Sequence, residues 1–493
     1  DKMPCRQRPA GGFVAVVTKQ IEAGRALTDI YPARFCTLCR KEDAMSKQRI
    51  QLSDHFTYSR LLRFVLPCIG TMLFTSIYGI VDGLCVSNFV GKTAFAAVNL
   101  IMPLPMLLGT IGFMLGTGGS AIVGITLGEG DQKKADRYFT LFLLAALVSV
   151  SVLAVLGIVF LRPIAVLLGA KGELLDYAVR YGRILMVSLP TFALQNMFQS
   201  FFVTAEKPHL GFWFTVGAGC TNMVLDVLMV GVWGWGVEGA AIATFISQLV
   251  GGVLPVFYFI DRSNSSRLHL CKTSFYSKVL RDACINGSSE LMTNLSMSLV
   301  NILYNYQLLR LAGENGVAAY GVIMSAAFLF VAVFEGYAVG SAPIVSFHYG
   351  ARNHAEVHNL YRKSLRLIAV VAVTLTLASM FIIPCVARIF VGYDAELLAL
   401  TSRAFRLYAL SFLIMGFNVY ASSFFTALGD GVTSALISFL RTLAFQVIAI
   451  LLLPLLLGID GIWLAVTAAE LAALAVSAAM LLTKDKVFHY RKV

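Results

Sequence analysis

Long apolar runs separated by short polar segments recur along this chain. Residues 141–161 form one such run and residues 443–457 form another. A helix needs about 20 consecutive apolar residues to cross a bilayer, whereas the strands of a membrane barrel alternate over about ten residues. The runs are continuous, so the pattern predicts membrane-spanning helices. We count twelve predicted spans, near residues 60–87, 94–124, 137–160, 176–203, 210–232, 237–259, 283–309, 316–346, 366–386, 401–426, 433–457 and 461–482.

Composition and charge agree with a polytopic, all-α membrane protein. Of 493 residues, 58% are hydrophobic and 13% are charged, against about 25% charged in a soluble domain. With the N-terminus inside, the predicted inner segments from residue 45 onward hold 21 Lys and Arg, and the outer ones hold nine. Cytoplasmic loops collect these residues, so both termini are predicted inside. The net charge of +12 is thereby explained without a nucleic-acid partner.

An internal repeat divides the chain into two halves. Residues Gly91–Ile101 align with Gly313–Ile323 at an offset of 222 residues. Each half holds six predicted spans, an even number, so both halves have the same orientation. Parallel repeats of this kind predict two pseudo-symmetric lobes around a central cleft. The predicted domains are an upstream disordered extension without function at 1–44, an N-lobe at 45–260, a cytoplasmic linker at 261–281, and a C-lobe with a short basic tail at 282–493.

Five motifs follow one another in a fixed order along the chain. They are LPCIGTMLFTSIYGIVDG, GTGGSAIVGITLGEGDQKKA, NMVLD, GVEGAAIAT and GSAPIVSFHYGARN. Together with the repeat they resemble the multidrug and toxic compound extrusion (MATE) family, in its DinF- and MepA-like bacterial branch of the MOP flippase superfamily. The resemblance implies export of amphipathic, often cationic drugs in exchange for inward H⁺ or Na⁺. It also implies a monomer in the bacterial cytoplasmic membrane, with no other cofactor.

Two polar residues interrupt the fifth apolar span. Asn222 and Asp226 are four residues apart, so on a helix they share a face and lie about 6 Å apart along its axis. An ionisable group inside a membrane costs roughly 2.5–3.5 kcal/mol or more, and it usually faces a cavity or a partner. At the repeat offset the second half has Ala444 and Ile448 instead. We therefore interpret the two polar residues as part of one lobe's function.

Helix length places two further residues near this face. Asp82 in span 1 and Thr244 in span 6 are predicted in the outer half of the N-lobe, level with Asp226. The family resemblance implies that these three residues and Asn222 form a cation-coupling site. The alternatives are an Asp226 locked to a partner, an Asp82 that is simply hydrated, and Asn222 and Thr244 as helix-packing groups.

Pro67 is the predicted hinge of span 1. A proline removes one backbone hydrogen bond from a helix and bends it. The repeat places Ser289 at the matching position in the second half, so the proline belongs to the first lobe alone. An ordinary transmembrane proline without a hinge role is the alternative.

The second lobe has its own charged candidates. Glu290 and Glu335 lie in apolar surroundings and are candidates for binding a substrate cation or a proton. The alternative for Glu290 is hydration near the cytoplasmic mouth. Arg441 lies within the eleventh span, where it is predicted either to extend its side chain towards the membrane surface or to pair with an acid.

We expect a transporter that works by alternating access, with H⁺ and Na⁺ both open as the coupling ion. One alternative is a lipid-linked precursor flippase of the same superfamily, which requires a strongly cationic cleft. An integral-membrane enzyme is the other. The spans contain no histidine except His348 and no nucleophile–base pair, so no catalytic residue and no metal site are predicted.

Overall fold

The computed structural model describes residues 50–90, 92–392 and 394–491. The predicted extension at 1–44 lies outside these ranges, and the compact helical body begins at Leu52. Within the described ranges the chain forms helices joined by loops and contains no strand. The predicted all-α fold class is therefore confirmed.

The described part of the first lobe contains eight helices and one π-helical segment. Pro103 and Pro208 each stand at a helix start, where the missing N–H of proline has no helical partner to lose. The helices are α1 (Tyr58–Phe89), α2 (Lys92–Ile101), α3 (Pro103–Gly128), α4 (Gln132–Leu167), α5 (Glu173–Thr204), α6 (Pro208–Asp226, continued by the π segment Val227–Val232), α7 (Gly236–Gly252) and α8 (Leu254–Ile260).

The second lobe follows a loop at 261–276. Its helices are α9 (Ser277–Asn286), α10 (Ser288–Gly350), α11 (His354–Val391), α12 (Ala395–Ala409), α13 (Phe412–Ala427), α14 (Gly431–Phe439, continued by the π segment Leu440–Ala444), α15 (Phe445–Leu457), α16 (Ile459–Thr483) and α17 (Asp485–Phe488). Helix α9 crosses the predicted end of the linker at residue 281, and α10 starts a few residues after the predicted start of span 7.

Among the described helices, nine are long and apolar enough to cross a membrane, or ten if the bent pair α12 and α13 forms one span. The angle within that pair is 46°. Helix α10 is 63 residues long and includes a non-helical Gly313, where two helices join across a kink. The predicted span 316–346 falls within it, and so does the predicted span 283–309 from residue 288 onward. The count of twelve spans stays a prediction.

The repeat is visible in the backbone as well as in the sequence. Asp131 and Asn353, which are 222 residues apart, both cap the N-terminus of a helix with their side chains. Gly236 and Gly458 also differ by 222 and have φ angles of 60° and 59°. These values favour glycine because it lacks a Cβ. The two halves therefore share helix boundaries as well as motifs.

The outer face of α4 is apolar and exposed. Val148, Val152, Val155 and Val159 recur at helical spacing, and each is more than half exposed. A hydrophobic stripe of this length on the outside of a helix is typical of lipid contact. The opposite face of α4 packs into the lobe, where Phe139 lies against Phe198 of α5 and Phe259 of α8.

The two lobes meet mainly along α10, which packs against α1 and α3 of the first lobe. Helices α3, α5, α10, α13 and the π segment after α14 contribute side chains to a cavity between the lobes. A separate polar group lies inside the first lobe, on α1 and α6. These are the two places where membrane-embedded acids gather.

Candidate functional site

The first group of acids consists of Asp82 on α1 and Asp226 at the end of α6. The structure brings their carboxyl groups within interaction range of each other. Asp226 is fully buried, whereas Asp82 is partly exposed. Among the described residues, no group donates a hydrogen bond to either oxygen of Asp226 or to Oδ1 of Asp82. No described Lys or Arg forms an ion pair with them.

Asn222 lies one turn before Asp226 on the same helix and is 2% exposed. Within the described part of the chain, neither its amide nitrogen nor its amide oxygen has a hydrogen-bond partner. Buried polar atoms are nearly always paired in proteins. An unpaired amide beside two unpaired carboxyls is therefore the arrangement expected of a site that receives a ligand.

Thr244 on α7 does not join this group through a described hydrogen bond. Its hydroxyl donates to the carbonyl oxygen of Ala240, at 3.0 Å, and the side chain is partly exposed. A threonine whose hydroxyl donates to a carbonyl oxygen of the preceding turn makes its hydrogen bond within its own helix. The role of Thr244 in cation coupling stays a prediction.

Two tyrosines near the acids were not predicted from the sequence. The hydroxyl of Tyr181 on α5 lies within electrostatic range of both Asp82 and Asp226, and Tyr78 on α1 lies within range of Asp82. Tyr78 is four residues before Asp82, so their shared helix face was a usable signal. Tyr181 carries no such signal, because only the packing of α5 against the other helices places it there.

Pro67 lies where α1 crosses the second lobe. Helix α1 continues unbroken through this proline, and Thr71 donates its hydroxyl to the carbonyl oxygen of Pro67 at 3.0 Å. A methyl group at Gly336 of α10 would lie 2.5 Å from the Cα of Ile69, so the two backbones touch here. Residues 72–83 beyond this crossing are partly or fully exposed. The hinge role of Pro67 stays a prediction; the proline lies next to the point where the backbones of α1 and α10 touch.

The second group of acids lines the cavity between the lobes. Glu290 and Glu335 both contribute to its wall, together with Arg441. Hydroxyl groups make up much of the rest, from Thr117, Ser120, Ser200, Ser289, Thr293, Ser422, Ser423, Thr426 and Ser438. The cavity has room for a few water molecules rather than a drug-sized molecule. It is polar, with more acidic than basic side chains.

Arg441 pairs with Glu470, a residue that the sequence reasoning missed. Arg441 Nε donates to Glu470 Oε1 at 2.8 Å, and both side chains are buried. This confirms one of the two predicted options for Arg441, pairing with an acid. Glu470 belongs to the twelfth predicted span, where a lone acid in an apolar run was the available signal.

One end of the interface between the lobes is closed by glycines. A methyl group at Gly128 of α3 would lie 2.0 Å from the carbonyl oxygen of Phe347, and one at Gly350 would lie 2.1 Å from that of Ile125. A methyl group at Gly118 would lie 2.2 Å from the carbonyl oxygen of Ala283. Only glycine permits backbones to approach this closely. This end holds the start of α1 and is the predicted cytoplasmic side.

A strap formed by residues 52–57 joins the two lobes at the same end. The N–H of Leu52 donates to Glu206 of the first lobe, and the N–H of Phe56 donates to Glu356 of the second, each at 2.8 Å. His55 Nδ1 lies 2.6 Å from the other oxygen of Glu356. Leu52 and Phe56 are fully buried. The strap therefore adds polar links to the glycine contacts, and Asp82 lies towards the opposite end of α1.

Comparison with known proteins adds family relationships to this geometry. The MatE family model matches residues 67–228 and again residues 291–452, once in each half of the chain. Multidrug export protein MepA of Staphylococcus saprophyticus is 21% identical over 436 residues, which is 87% of this chain and 95% of that protein. The double match confirms the two-lobe repeat.

Solved structures show the same fold. The crystal structure of MATE in complex with MaL6 has a TM-score of 0.84 at 22% identity, covering 90% of this chain and 100% of that chain. A second structure, described as the outward-facing conformation of a multidrug resistance MATE family transporter of the MOP superfamily, also has a TM-score of 0.84 at 22% identity. It covers 90% of this chain and 99% of that chain.

Proposed function

The chain belongs to the MatE family of multidrug and toxic compound extrusion transporters, and from this premise we propose that it exports amphipathic, often cationic drugs in exchange for inward H⁺ or Na⁺. Its relatives are named for multidrug export rather than for catalysis, which supports a transporter without enzymatic activity. The observation that carries the coupling proposal is the unpaired acid pair, Asp82 and Asp226.

The chemistry of that pair requires an external positive charge. Two adjacent carboxylates repel each other, and burying an unpaired carboxylate is costly. A proton shared between them, or a bound Na⁺, removes both costs. Asn222 supplies an amide oxygen to a metal cation and an amide N–H₂ to a carboxylate. Because Asp82 is partly exposed and lies on the outer half of α1, the ion is proposed to enter from that side.

Neutralisation of the acid pair is proposed to act on helix α1. Asp82 lies fifteen residues beyond Pro67, about 22 Å along the helix. When a cation draws Asp82 towards Asp226, the outer half of α1 moves relative to the half that contacts α10. The bend occurs at Pro67, where a helical hydrogen bond is already missing. Movement of α1 then narrows the cleft and displaces the drug.

The cavity at Glu290 and Glu335 is the proposed entry point for the drug. In the present conformation the glycine contacts and the strap close the predicted cytoplasmic end, so the cavity is narrow. Separation of the lobes at that end would widen it and expose two carboxyls to a cationic molecule from the cytoplasm. Attraction of cations by these acids supports a cationic substrate over the anionic pyrophosphate head that a lipid-linked precursor flippase binds.

The remaining proposals concern location and assembly. Bacterial relatives support the cytoplasmic membrane as the location. The excess of Lys and Arg in the predicted inner segments supports cytoplasmic termini. We propose a monomer whose partners are small organic substrates, the coupling ion and the lipid bilayer, with no other cofactor.

Vesicle transport tests the proposed function. The full chain, reconstituted into liposomes, should move the lipophilic cation tetraphenylphosphonium against its gradient when either an inverse pH gradient or an inverse Na⁺ gradient is imposed. Each gradient is imposed alone with the membrane potential clamped to zero, and protein-free liposomes are the control. Transport that follows neither gradient would contradict the proposal of cation-coupled export.

A further inference from the structure

Arg441 is a buried cation at the wall of a cavity that is proposed to receive cations. It lies in the π segment Leu440–Ala444, and the sequence from 412 to 483 contains no other Lys or Arg. π-helical turns inside membrane helices occur frequently at functional sites. A guanidinium in this position would repel a positively charged substrate, so its presence needs an explanation.

Glu470 holds Arg441 by accepting a hydrogen bond from its Nε. Glu470 does not line the cavity, and its second oxygen, Oε2, accepts a hydrogen bond from Asn418 Nδ2 at 2.7 Å. Asn418 is itself fixed, because Ser477 donates its hydroxyl to Asn418 Oδ1 at 2.9 Å. Glu470 is 1% exposed. It is therefore a rigid anchor with hydrogen bonds at both oxygens.

The same guanidinium also interacts with the acids that line the cavity. Arg441 lies within electrostatic range of both Glu335 and Glu290, and these two carboxyls lie within range of each other. One positively charged side chain thus interacts with three carboxyls, two of which are the proposed drug ligands. An arginine side chain has several rotatable bonds, so a change in the charge of its neighbours can redistribute it among them.

Stability alone does not account for this arrangement. Well-packed apolar residues in place of a buried ion pair are often neutral or stabilising. An arginine needed only for packing between α14 and α16 has no reason to reach the cavity wall. The ion pair instead places a positively charged side chain at the cavity wall, where a positively charged substrate is proposed to bind.

We infer that Arg441 is a specificity-determining residue, a tethered cation that competes with the transported cation for Glu290 and Glu335, while Glu470 withdraws it. This inference rests on the proposed export of cations. Arg441, which is bonded to Glu470 in this structure, offsets part of the negative charge of the two cavity acids. When a cation binds to those acids, Glu470 holds Arg441 back from them. Displacement of Arg441 from Glu470 towards the acids promotes release, so binding does not become too tight for transport.

Binding of tetraphenylphosphonium to the purified full chain tests this role, measured by calorimetry in detergent with the unfolding temperature of each variant recorded. Arg441→Gln removes the competitor and should lower the Kd on the order of tenfold or more, because no like charge then opposes the bound cation. Arg441→Lys keeps a tethered cation and should match the wild type. Glu470→Gln releases the guanidinium towards the cavity acids and should raise the Kd.

A double variant separates this effect from misfolding. Arg441→Gln with Glu470→Gln leaves no unpaired buried charge from the pair, and it should still bind more tightly than the wild type. Arg403→Gln is the matched control, because Arg403 is an exposed arginine that pairs with an acid, Asp460, and neither residue lines the cavity; its Kd should be unchanged. If the double variant binds no more tightly than the wild type, or if Glu470→Gln binds as tightly as the wild type, the tethered-cation role is wrong.

Different results would contradict the proposed cation export and the proposed role of Arg441. If the wild type neither binds nor exports tetraphenylphosphonium, cation export itself is contradicted, and the role of Arg441 with it. If the wild type binds and exports the cation while the double variant keeps the wild-type Kd, only the role of Arg441 is contradicted.

Discussion

At the scale of single residues, the role of each charge depends on whether its partner is part of the chain. Glu356 and Asp430 have partners within the protein and serve structure. Asp226 has none among the described residues, which leaves it available to an external ion. The sequence indicates that Asp226 is unusual because it lies in an apolar span. It does not identify the partners of Arg441 or Glu356, because Glu470 lies on another helix and the strap that contacts Glu356 is 300 residues away in the chain.

Asp430 provides a pH-dependent prediction at this scale. Burial of its carboxyl opposes ionisation, but hydrogen bonds from Lys484 and Thr433 outweigh burial and hold the pKa of Asp430 below its usual range. Lys484 Nζ lies 2.8 Å from Asp430 Oδ2. A carboxyl with a lowered pKa stabilises the fold above its unfolded pKa, which is about 3.9 for Asp. That stability is lost as the pH falls through the folded pKa.

We therefore expect the unfolding temperature of the wild type in detergent to fall more steeply on acidification than that of Asp430→Asn. At neutral pH the variant should be less stable by up to about 1 kcal/mol, because asparagine still caps the helix but no longer forms the ion pair with Lys484. Asp176→Asn, at an exposed position, is the control and should follow the wild type. Equal slopes for the wild type and Asp430→Asn between neutral and acid pH would contradict the prediction.

At the scale of helices, the sequence predicts where spans lie but not how closely they approach. Periodicity and apolar length give helix positions within several residues, as for α6 and α16. The same pattern does not separate Ala395–Ala409 from Phe412–Ala427, because apolar residues continue through the 46° bend. The glycines of α3 are visible as a motif, but their partners on α9 and α10 depend on the packing of the lobes.

Helix contact at Gly128 leads to a prediction about conformation. Gly128→Ala would place a methyl group 2.0 Å from the carbonyl oxygen of Phe347, so α3 and α10 must separate at the closed end. We expect faster labelling of a cysteine introduced at Thr117, a cavity residue, by a membrane-impermeant maleimide added from the predicted cytoplasmic side. Gly321→Ala is the matched control, because a methyl group there meets no atom within 4 Å. Equal labelling rates in the two variants would show that these contacts do not close that end.

At the scale of the whole molecule, two lobes of common ancestry have diverged in their chemistry. The repeat was predicted from aligned motifs, and two matches to one family model, one in each half, confirm it. The acids differ between the halves: the N-lobe holds an unpaired pair, and the C-lobe holds a cluster neutralised in part by Arg441. In the proposed mechanism, α1 couples an ion in one lobe to a drug between the lobes, because it carries Asp82 and also contacts α10 of the second lobe.

The most direct test of this account compares Asp226→Asn with Asp261→Asn, an exposed loop position, in liposomes with imposed pH or Na⁺ gradients. Asparagine has nearly the same shape as aspartate but never carries the charge that a proton or Na⁺ neutralises. Asp226→Asn should therefore fold and bind tetraphenylphosphonium, yet lose its gradient-driven export, while Asp261→Asn exports like the wild type. Export by Asp226→Asn at the wild-type rate under the same gradient would contradict the coupling role of this acid pair.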